Sequence, residues 1–134
     1  MTRKSSSMTD LILSSLHNGV FTITLNYPTK MNCMGFEMLE GLNDAVNFAR
    51  KSDDVKVIVI TGAGEKAFSS GANIKEFKAL KGIEITRWIE FGNGINNNIE
   101  TISKPTIAYI NGYAMGGGCL LYTSDAADEE YSVD

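Results

Sequence analysis

Thr106-Ile107-Ala108-Tyr109-Ile110-Asn111-Gly112-Tyr113-Ala114-Met115-Gly116-Gly117-Gly118-Cys119 decides the fold, because an apolar strand runs there into a turn with three consecutive glycines. Glycine has no Cβ, so the backbone of Gly116–Gly118 can lie against a ligand with its N–H groups unobstructed. In α/β proteins ligands bind beyond the carboxyl ends of buried strands. The sequence therefore predicts a ligand site directly after Ile110.

The N-terminal part of the chain predicts a β-hairpin, a helix and a buried strand. Leu11–Leu16 and Val20–Leu25 are short strand-like segments joined at Asn18-Gly19, a dipeptide that favours a tight turn. Apolar residues then recur at helical spacing up to about Lys51. Val55–Ile60 is an apolar run of the kind found in strands buried on both faces.

The remainder predicts two helices before the second strand. Thr61–Ser70 is expected to be a loop, Ala72–Leu80 a short helix, and Ile85–Ile102 a longer helix with an apolar stripe. Gly92 and Gly94 weaken the longer helix by about 1 kcal/mol each relative to alanine, so close packing or a kink is expected there. The order β-β-α-β-α-α-β implies an α/β fold.

Composition places the chain among globular proteins. It has 134 residues, 43% of them apolar and 21% charged, with a net charge of −4, which suits one domain or part of one. The charge does not suggest nucleic-acid binding, and no apolar run approaches the roughly 20 residues needed to cross a membrane. Two cysteines, Cys33 and Cys119, form neither a disulfide framework nor a metal set, so a cytoplasmic location is expected. Residues 1–10 are expected to be a flexible tail.

The last segment differs from the rest of the chain. Residues 119–134 carry five acidic residues and no lysine or arginine. The run from Leu120 to Asp128, with Ser132-Val133-Asp134, resembles the translation of a transposase-type DNA sequencing adapter. We therefore expect residues 119–134 not to be native coding sequence. The alternative is a natural truncated paralogue with a divergent tail.

A second glycine-rich loop follows the first buried strand. Gly62-Ala63-Gly64-Glu65-Lys66-Ala67 matches the dinucleotide-binding pattern G-x-G-x-x-A, but Phe68-Ser69-Ser70-Gly71 interrupts the helix that this pattern requires. Small residues at Ser70–Ala72 instead leave backbone N–H groups free. Together with Gly116–Gly118 they would offer two donors to one oxygen, which is the arrangement of an oxyanion hole.

Three segments in this order resemble the enoyl-CoA hydratase/isomerase (crotonase) family. Residues 67–77 and 104–119 are similar to its two signature segments, and residues 24–32 are similar to its first loop. The resemblance implies a crotonase-type spiral of β-β-α turns, incomplete here and limited to the N-terminal half. It places a partial acyl-CoA-binding domain at residues 11–118.

The resemblance also implies roles for single residues. The backbone N–H groups of Ala72 and Gly117 would polarise the thioester carbonyl of an acyl-CoA. Contacts with the CoA portion would come from Met31 and from Ala72–Lys75, that is Ala72, Asn73, Ile74 and Lys75. Asn73 stands where the family usually has aspartate. Coenzyme A is part of the substrate, so no separate cofactor and no metal are expected, and the parent protein would be a homotrimer or homohexamer.

The acid and base groups depart from the family pattern. The hydratases have a glutamate at the position of Leu120 and a second one well downstream. Leucine cannot position water or move a proton, so we expect the parent protein to hydrate a 2-enoyl-CoA and this chain to be inactive. Isomerisation or another enolate reaction is the alternative within the family. A non-catalytic CoA-binding or interaction protein is the alternative outside enzymes.

Overall fold

The computed structural model describes residues 2–4, 10–114 and 129–132. Within them the strands are β1 Thr2–Lys4, β2 Ile12–His17, β3 Val20–Leu25, β4 Val57–Gly62, β5 Ala67–Ser69, β6 Thr106–Ile110, β7 Tyr113–Ala114 and β8 Glu129–Ser132. The helices are α1 Phe36–Lys51, α2 Ile74–Ala79 and α3 Ile83–Thr101, with a 3₁₀ helix at Pro28–Lys30. The predicted alternation of strands and helices is confirmed.

The strands form one large and one small sheet. The large sheet has the order β1-β2-β3-β4-β6-β8. β1, β2 and β3 pair antiparallel, whereas β3, β4, β6 and β8 run parallel. β5 and β7 form the small parallel sheet. Because β4 and β6 are parallel neighbours, the loops that follow them leave the same edge of the large sheet.

The predicted hairpin owes its register to the turn between β2 and β3. Asn18 and Gly19 both have positive φ, 48° and 84°, which a two-residue hairpin turn requires. His17 therefore pairs with Val20, and the register runs without a shift to the pair of Ile12 and Leu25. This pairing places the apolar side chains of β3 on a single face.

The core lies between that face of the large sheet and the helices. α1 packs against β2 and β3 through the residues that the helical spacing had singled out. The apolar residues with no exposed surface are Ile23, Leu25, Met38, Leu42, Ala49, Ile60, Phe68 and Ala108. Burying a large apolar side chain stabilises the folded state by about 1.5–3 kcal/mol, so this cluster holds the helices on the sheet.

The prediction that β4 is buried on both faces is wrong, and β6 too is buried on one face only. In β4, Ile58 and Ile60 are buried, while Val57 and Val59 are only half-buried. In β6, Tyr109 is 45% exposed. Successive side chains of a strand point to opposite faces, and the described helices cover the face that bears Ile58 and Ile60.

The prediction of a loop over Thr61–Ser70 also needs correction. Ala67–Ser69 form β5, which pairs with β7 through Ala67 with Tyr113 and Ser69 with Ala114, and the register shifts between these two pairs. A three-residue strand is too short to show an alternation of apolar and polar residues, and its partner strand is far away in sequence. The sequence therefore does not predict β5. The strand also stands where a dinucleotide-binding turn would require a helix to begin.

Two terminal segments join the large sheet. Thr2–Lys4, inside the predicted tail, pairs with residues 13–15 of β2. Glu129–Ser132, inside the segment predicted to be non-native, pairs with residues 107–110 of β6. The origin of residues 119–134 stays a prediction. No helix in the described part of the chain is long and apolar enough to cross a membrane.

The glycines of α3 differ from expectation. α3 is continuous from Ile83 to Thr101, and a Cβ added at Gly92 or Gly94 would meet no heavy atom within 4 Å. The close packing predicted at these glycines is therefore wrong. The second half of α3 packs through Ile95 and Ile99, which are buried. Both glycines face open space.

We predict that Gly94→Ala raises the free energy of unfolding by about 1 kcal/mol, because alanine is the better helix former and the site is open. Urea denaturation of both proteins measures the difference. Gly112→Ala is the contrasting variant, since its Cβ would lie 2.8 Å from the backbone nitrogen of Ala67 and must lower stability. A lower urea midpoint for Gly94→Ala would contradict the prediction.

Candidate functional site

The site is centred on a backbone bridge between Met34 and Ala72, which join two otherwise separate loops. The bridge is parallel. Both backbone polar groups of Met34 are hydrogen-bonded across this bridge. The N–H of Met34 donates to the carbonyl of Gly71 at 2.7 Å, and the carbonyl of Met34 accepts from the N–H of Asn73 at 3.0 Å. In a parallel bridge the residue opposite points its own polar groups the other way. The N–H of Ala72 therefore faces away from Met34.

The loop before Ala72 is held by a chain of hydrogen bonds. The N–H of Ser70 donates to the carbonyl of Met31 at 2.9 Å. The hydroxyl of Ser69 donates to the carbonyl of Asn32 at 2.8 Å and accepts from the N–H of Gly71 at 3.1 Å. Ser69 is fully buried. These bonds fix the backbone up to the residue before Ala72, so the direction of its N–H is set before any ligand binds.

Asn32 ties three loop positions together with one carboxamide. Its side-chain oxygen accepts from the N–H of Tyr27 at 2.7 Å. Its side-chain nitrogen donates to the carbonyls of Ala63 and Ala67, at 3.0 and 2.9 Å. The residue is 0% exposed. The residue type alone does not reveal this role, and the signal that the sequence offers is a polar residue within the otherwise apolar run Met31–Met34.

The carboxamide of Asn111 likewise ties together several backbone positions of the loop after β4. Its oxygen accepts from the N–H of Gly62 at 3.1 Å, and its nitrogen donates to the carbonyls of Gly64 and Ala67, at 2.8 and 3.0 Å. A Cβ on Gly62 would lie 2.5 Å from the carbonyl oxygen of Phe68, so glycine is required at this crossing. The start of the segment after β6 therefore lies against the loop after β4, as their positions after parallel strands indicate.

Two cavities flank the Met34–Ala72 bridge. The first, called the α3 cavity, has a volume of about 240 Å³ and a mostly apolar lining: Met34, Leu39, Leu42, Ala72, Trp88, Ile89, Gly92, Asn93, Ile95 and Asn96. The second, called the loop cavity, has about 360 Å³ and is lined by the neighbouring residues Cys33 and Asn73, with Tyr27, Pro28 and Glu76. The bridge thus separates an apolar space from a more polar one.

Aromatic contacts attach the first half of α3 beside the α3 cavity. Phe36, the first residue of α1, stacks on Phe91 with ring centroids 4.9 Å apart. Phe77 of α2 meets Trp88 edge-on at 5.3 Å. The indole N–H of Trp88 is buried with no hydrogen-bond partner in the described part of the chain. The wall that α3 gives to this cavity is therefore held by ring packing.

Glu76 joins α2 to the start of α1. Its carboxylate accepts from the N–H of Phe36 at 2.7 Å. The N-cap of α1 is Gly35, which has no side chain to satisfy that donor. A carboxylate at the positive end of a helix is favourable. Glu76 thus replaces the missing capping side chain and fixes α2 beside the bridge.

Of the predicted CoA contacts, Ala72 lines the α3 cavity, Asn73 lines the loop cavity, and Ile74 and Lys75 begin α2. Met31 is half-buried with a left-handed φ of 53°, and Asn73 caps α2 by accepting from the N–H of Glu76 at 3.2 Å. Ile74 is 58% exposed, and Lys75 is exposed as well. Gly117 and Leu120, like the rest of 115–128, lie outside the described residues. The pairing of Ala72 with Gly117 stays a prediction.

Cys33 is half-buried. Burial raises the pKa of its thiol, the carboxylate of Glu76 raises it further, and its backbone hydrogen bond and Lys30 act in the opposite direction. A raised pKa keeps the thiol protonated near neutral pH. No group of His, Cys, Asp and Glu side chains within the described residues is arranged to hold a metal ion.

The described part of the chain combines parallel strands β3, β4 and β6 with a loop after β4 that presents the N–H of Ala72. The sequence model of the family described as enoyl-CoA hydratase/isomerase matches residues 15–128. The chain therefore belongs to the enoyl-CoA hydratase/isomerase family.

Individual relatives agree with this assignment. The chain is 35% identical over 105 residues to the short-chain-enoyl-CoA hydratase of Clostridium acetobutylicum, covering 78% of this chain and 40% of that protein. It is 36% identical over 97 residues to the crotonyl-CoA hydratase of Syntrophomonas wolfei, covering 72% and 37%. The crystal structure of an enoyl-CoA hydratase from Bacillus anthracis superposes with a TM-score of 0.82 at 30% identity, covering 85% and 45%. The chain spans less than half the length of these relatives.

We predict that Asn32→Ala lowers the free energy of unfolding by on the order of 3 kcal/mol, because it leaves the N–H of Tyr27 and the carbonyls of Ala63 and Ala67 without this partner. Urea denaturation gives the value. Asn97→Ala, at an exposed position of α3, is the matched control and should change stability by less than about 0.5 kcal/mol. Equal effects of the two substitutions would contradict the role of Asn32.

We predict that Cys33 reacts slowly with iodoacetamide at pH 7 and that its rate still rises above pH 9, because its pKa is raised and the thiolate is the nucleophile. The rate is measured by mass spectrometry in a Cys119→Ser background. Lys30→Ala should slow the reaction further, since the positive charge that lowers the pKa is gone. A rate that levels off below pH 8 would show the prediction to be wrong.

Proposed function

We propose that the protein binds acyl-CoA thioesters, and that the family domain to which it corresponds hydrates a 2-enoyl-CoA. The N–H groups of Ala72 and Gly117 would donate to the thioester oxygen as it gains negative charge. Removing one such donor in other enzymes costs about 2.7–4 kcal/mol of transition-state stabilisation. The observation that carries the proposal is the N–H of Ala72, which faces away from Met34 in a residue that lines the α3 cavity.

The two cavities suit the two ends of such a substrate. The apolar lining of the α3 cavity suits an acyl chain whose carbonyl lies at Ala72. Asn73 lines the loop cavity, and Ile74 and Lys75 follow it in the first turn of α2. Lys75 is exposed, so its ammonium is available to phosphate oxygens of CoA, and Met31 is the remaining proposed contact. The names of the relatives from Clostridium acetobutylicum and Syntrophomonas wolfei support the same substrate class.

Leu120 favours a second candidate function, binding without catalysis. Hydration needs a carboxylate that positions water and transfers a proton, and leucine at this position supplies neither. We therefore expect this chain to bind acyl-CoA without hydrating it. Isomerisation or another enolate reaction would use the same backbone donors with different acid and base groups. Assembly as a homotrimer or homohexamer and a cytoplasmic location are further proposals.

We predict that butyryl-CoA labelled with ¹³C at its carbonyl shows a lower carbonyl stretching frequency when bound than when free, because the N–H of Ala72 withdraws electron density from the bond. Infrared difference spectroscopy measures the shift. Ala72→Pro removes the donor and should abolish most of the shift and weaken binding about tenfold. Ala72→Gly keeps the N–H and serves as the matched control.

The results for the two variants and the unchanged chain test the donor role of Ala72 and the absence of hydration separately. A shift that survives in folded Ala72→Pro, with its fold checked by circular dichroism, would contradict the role of this donor. Loss of the shift in both variants would assign the effect to the methyl group of Ala72. Hydration of crotonyl-CoA by the unchanged chain would contradict the expectation drawn from Leu120 and leave the binding proposal standing.

A further inference from the structure

We propose that Gly92 determines the length of the acyl chain that this protein accepts, and that the missing side chain there admits acyl groups longer than butyryl. The inference rests on the proposed function, since it concerns the acyl end of the same substrate. The substrate class is a saturated or 2-unsaturated acyl-CoA of medium length.

The first support is the position of Gly92. It lies in the interior of α3 and lines the α3 cavity together with Ala72. A Cβ at Gly92 would meet no heavy atom within 4 Å, so the space beside it is open. Neither close packing nor a positive φ calls for glycine at this position. What distinguishes Gly92 from the other open glycine of this helix, Gly94, is that only Gly92 lines the α3 cavity, so a side chain there would take up space that a ligand could fill.

The second support is the size of the cavity. An engineered apolar cavity of about 150 Å³ holds a benzene molecule. The α3 cavity has about 240 Å³. This volume accommodates an acyl chain of roughly six to eight carbons on the same scale. With the thioester carbonyl at Ala72, such a chain fills the space between Leu42, Trp88 and Gly92.

Gly94 supplies the comparison that isolates this effect. It is a glycine of the same helix, it also has open space around its missing Cβ, and it is not among the residues that line the α3 cavity. The same substitution at both positions therefore changes helix propensity alike. Only the one at Gly92 adds atoms to the cavity.

The experiment is isothermal titration calorimetry of the chain with butyryl-, hexanoyl- and octanoyl-CoA. For the unchanged chain we expect affinity to rise from butyryl to octanoyl. Gly92→Leu should weaken octanoyl-CoA binding by about tenfold or more and butyryl-CoA binding by less than about threefold. Gly92→Ala should give an intermediate loss, and Gly94→Leu should match the unchanged chain.

The outcomes distinguish this inference from the proposed function. Binding of all three ligands by the unchanged chain, with the same length profile in folded Gly92→Leu, would overturn the inference and leave the proposed function intact. An equal loss in Gly94→Leu would also overturn it. Absence of acyl-CoA binding by the unchanged, folded chain would contradict the proposed function, and the inference with it.

Discussion

The carboxamide of Asn32 is the interaction on which the rest of the site depends. It is completely buried and holds Tyr27, Ala63 and Ala67 with one acceptor and two donor bonds. An aspartate cannot donate and a leucine can do neither, so an amide is needed to satisfy all three groups. The loops it joins come from distant parts of the sequence, and the polar backbone groups at their crossing need such a partner because they are away from water.

A short series of hydrogen bonds connects Asn32 to the loop that positions the N–H of Ala72. The backbone carbonyl of Asn32 accepts from Ser69, whose hydroxyl in turn accepts from the N–H of Gly71. Ala72 is the next residue, and its parallel bridge with Met34 makes its N–H face away from Met34. A donor held in place before the substrate arrives needs no reorganisation as charge develops, which is the physical basis of oxyanion stabilisation. The side chains around Ala72 shape the space, and the backbone supplies the donor.

The sequence predicted best what depends on local pattern. The hairpin followed from Asn18-Gly19, and α1 followed from the spacing of residues such as Met38 and Leu42, which are fully buried. β5 could not be predicted because its partner, β7, is distant in sequence. Asn32 could not either, since an asparagine in a loop is indistinguishable by type from an ordinary turn residue.

The family resemblance supplied the position of Ala72, whereas the surroundings of Gly92 came only from the structure. A glycine in a helix indicates an unusual environment without saying which one. In the sequence, a glycine that packs closely against a neighbouring element looks the same as a glycine that borders a cavity. At Gly92 the helix borders the α3 cavity, so the structure decides between them.

The parallel register of the large sheet has a consequence for the order of folding. β2 and β3 meet through a two-residue turn and can pair within microseconds. Val20, however, pairs with Val57, and Ile58 pairs with Thr106, so each later strand closes a long loop before it gains its bonds. Such non-local pairing slows folding and leaves strand edges exposed meanwhile. During synthesis the edge of β3 therefore stays unpaired until β4 has emerged, and the edge of β4 stays unpaired until β6 follows.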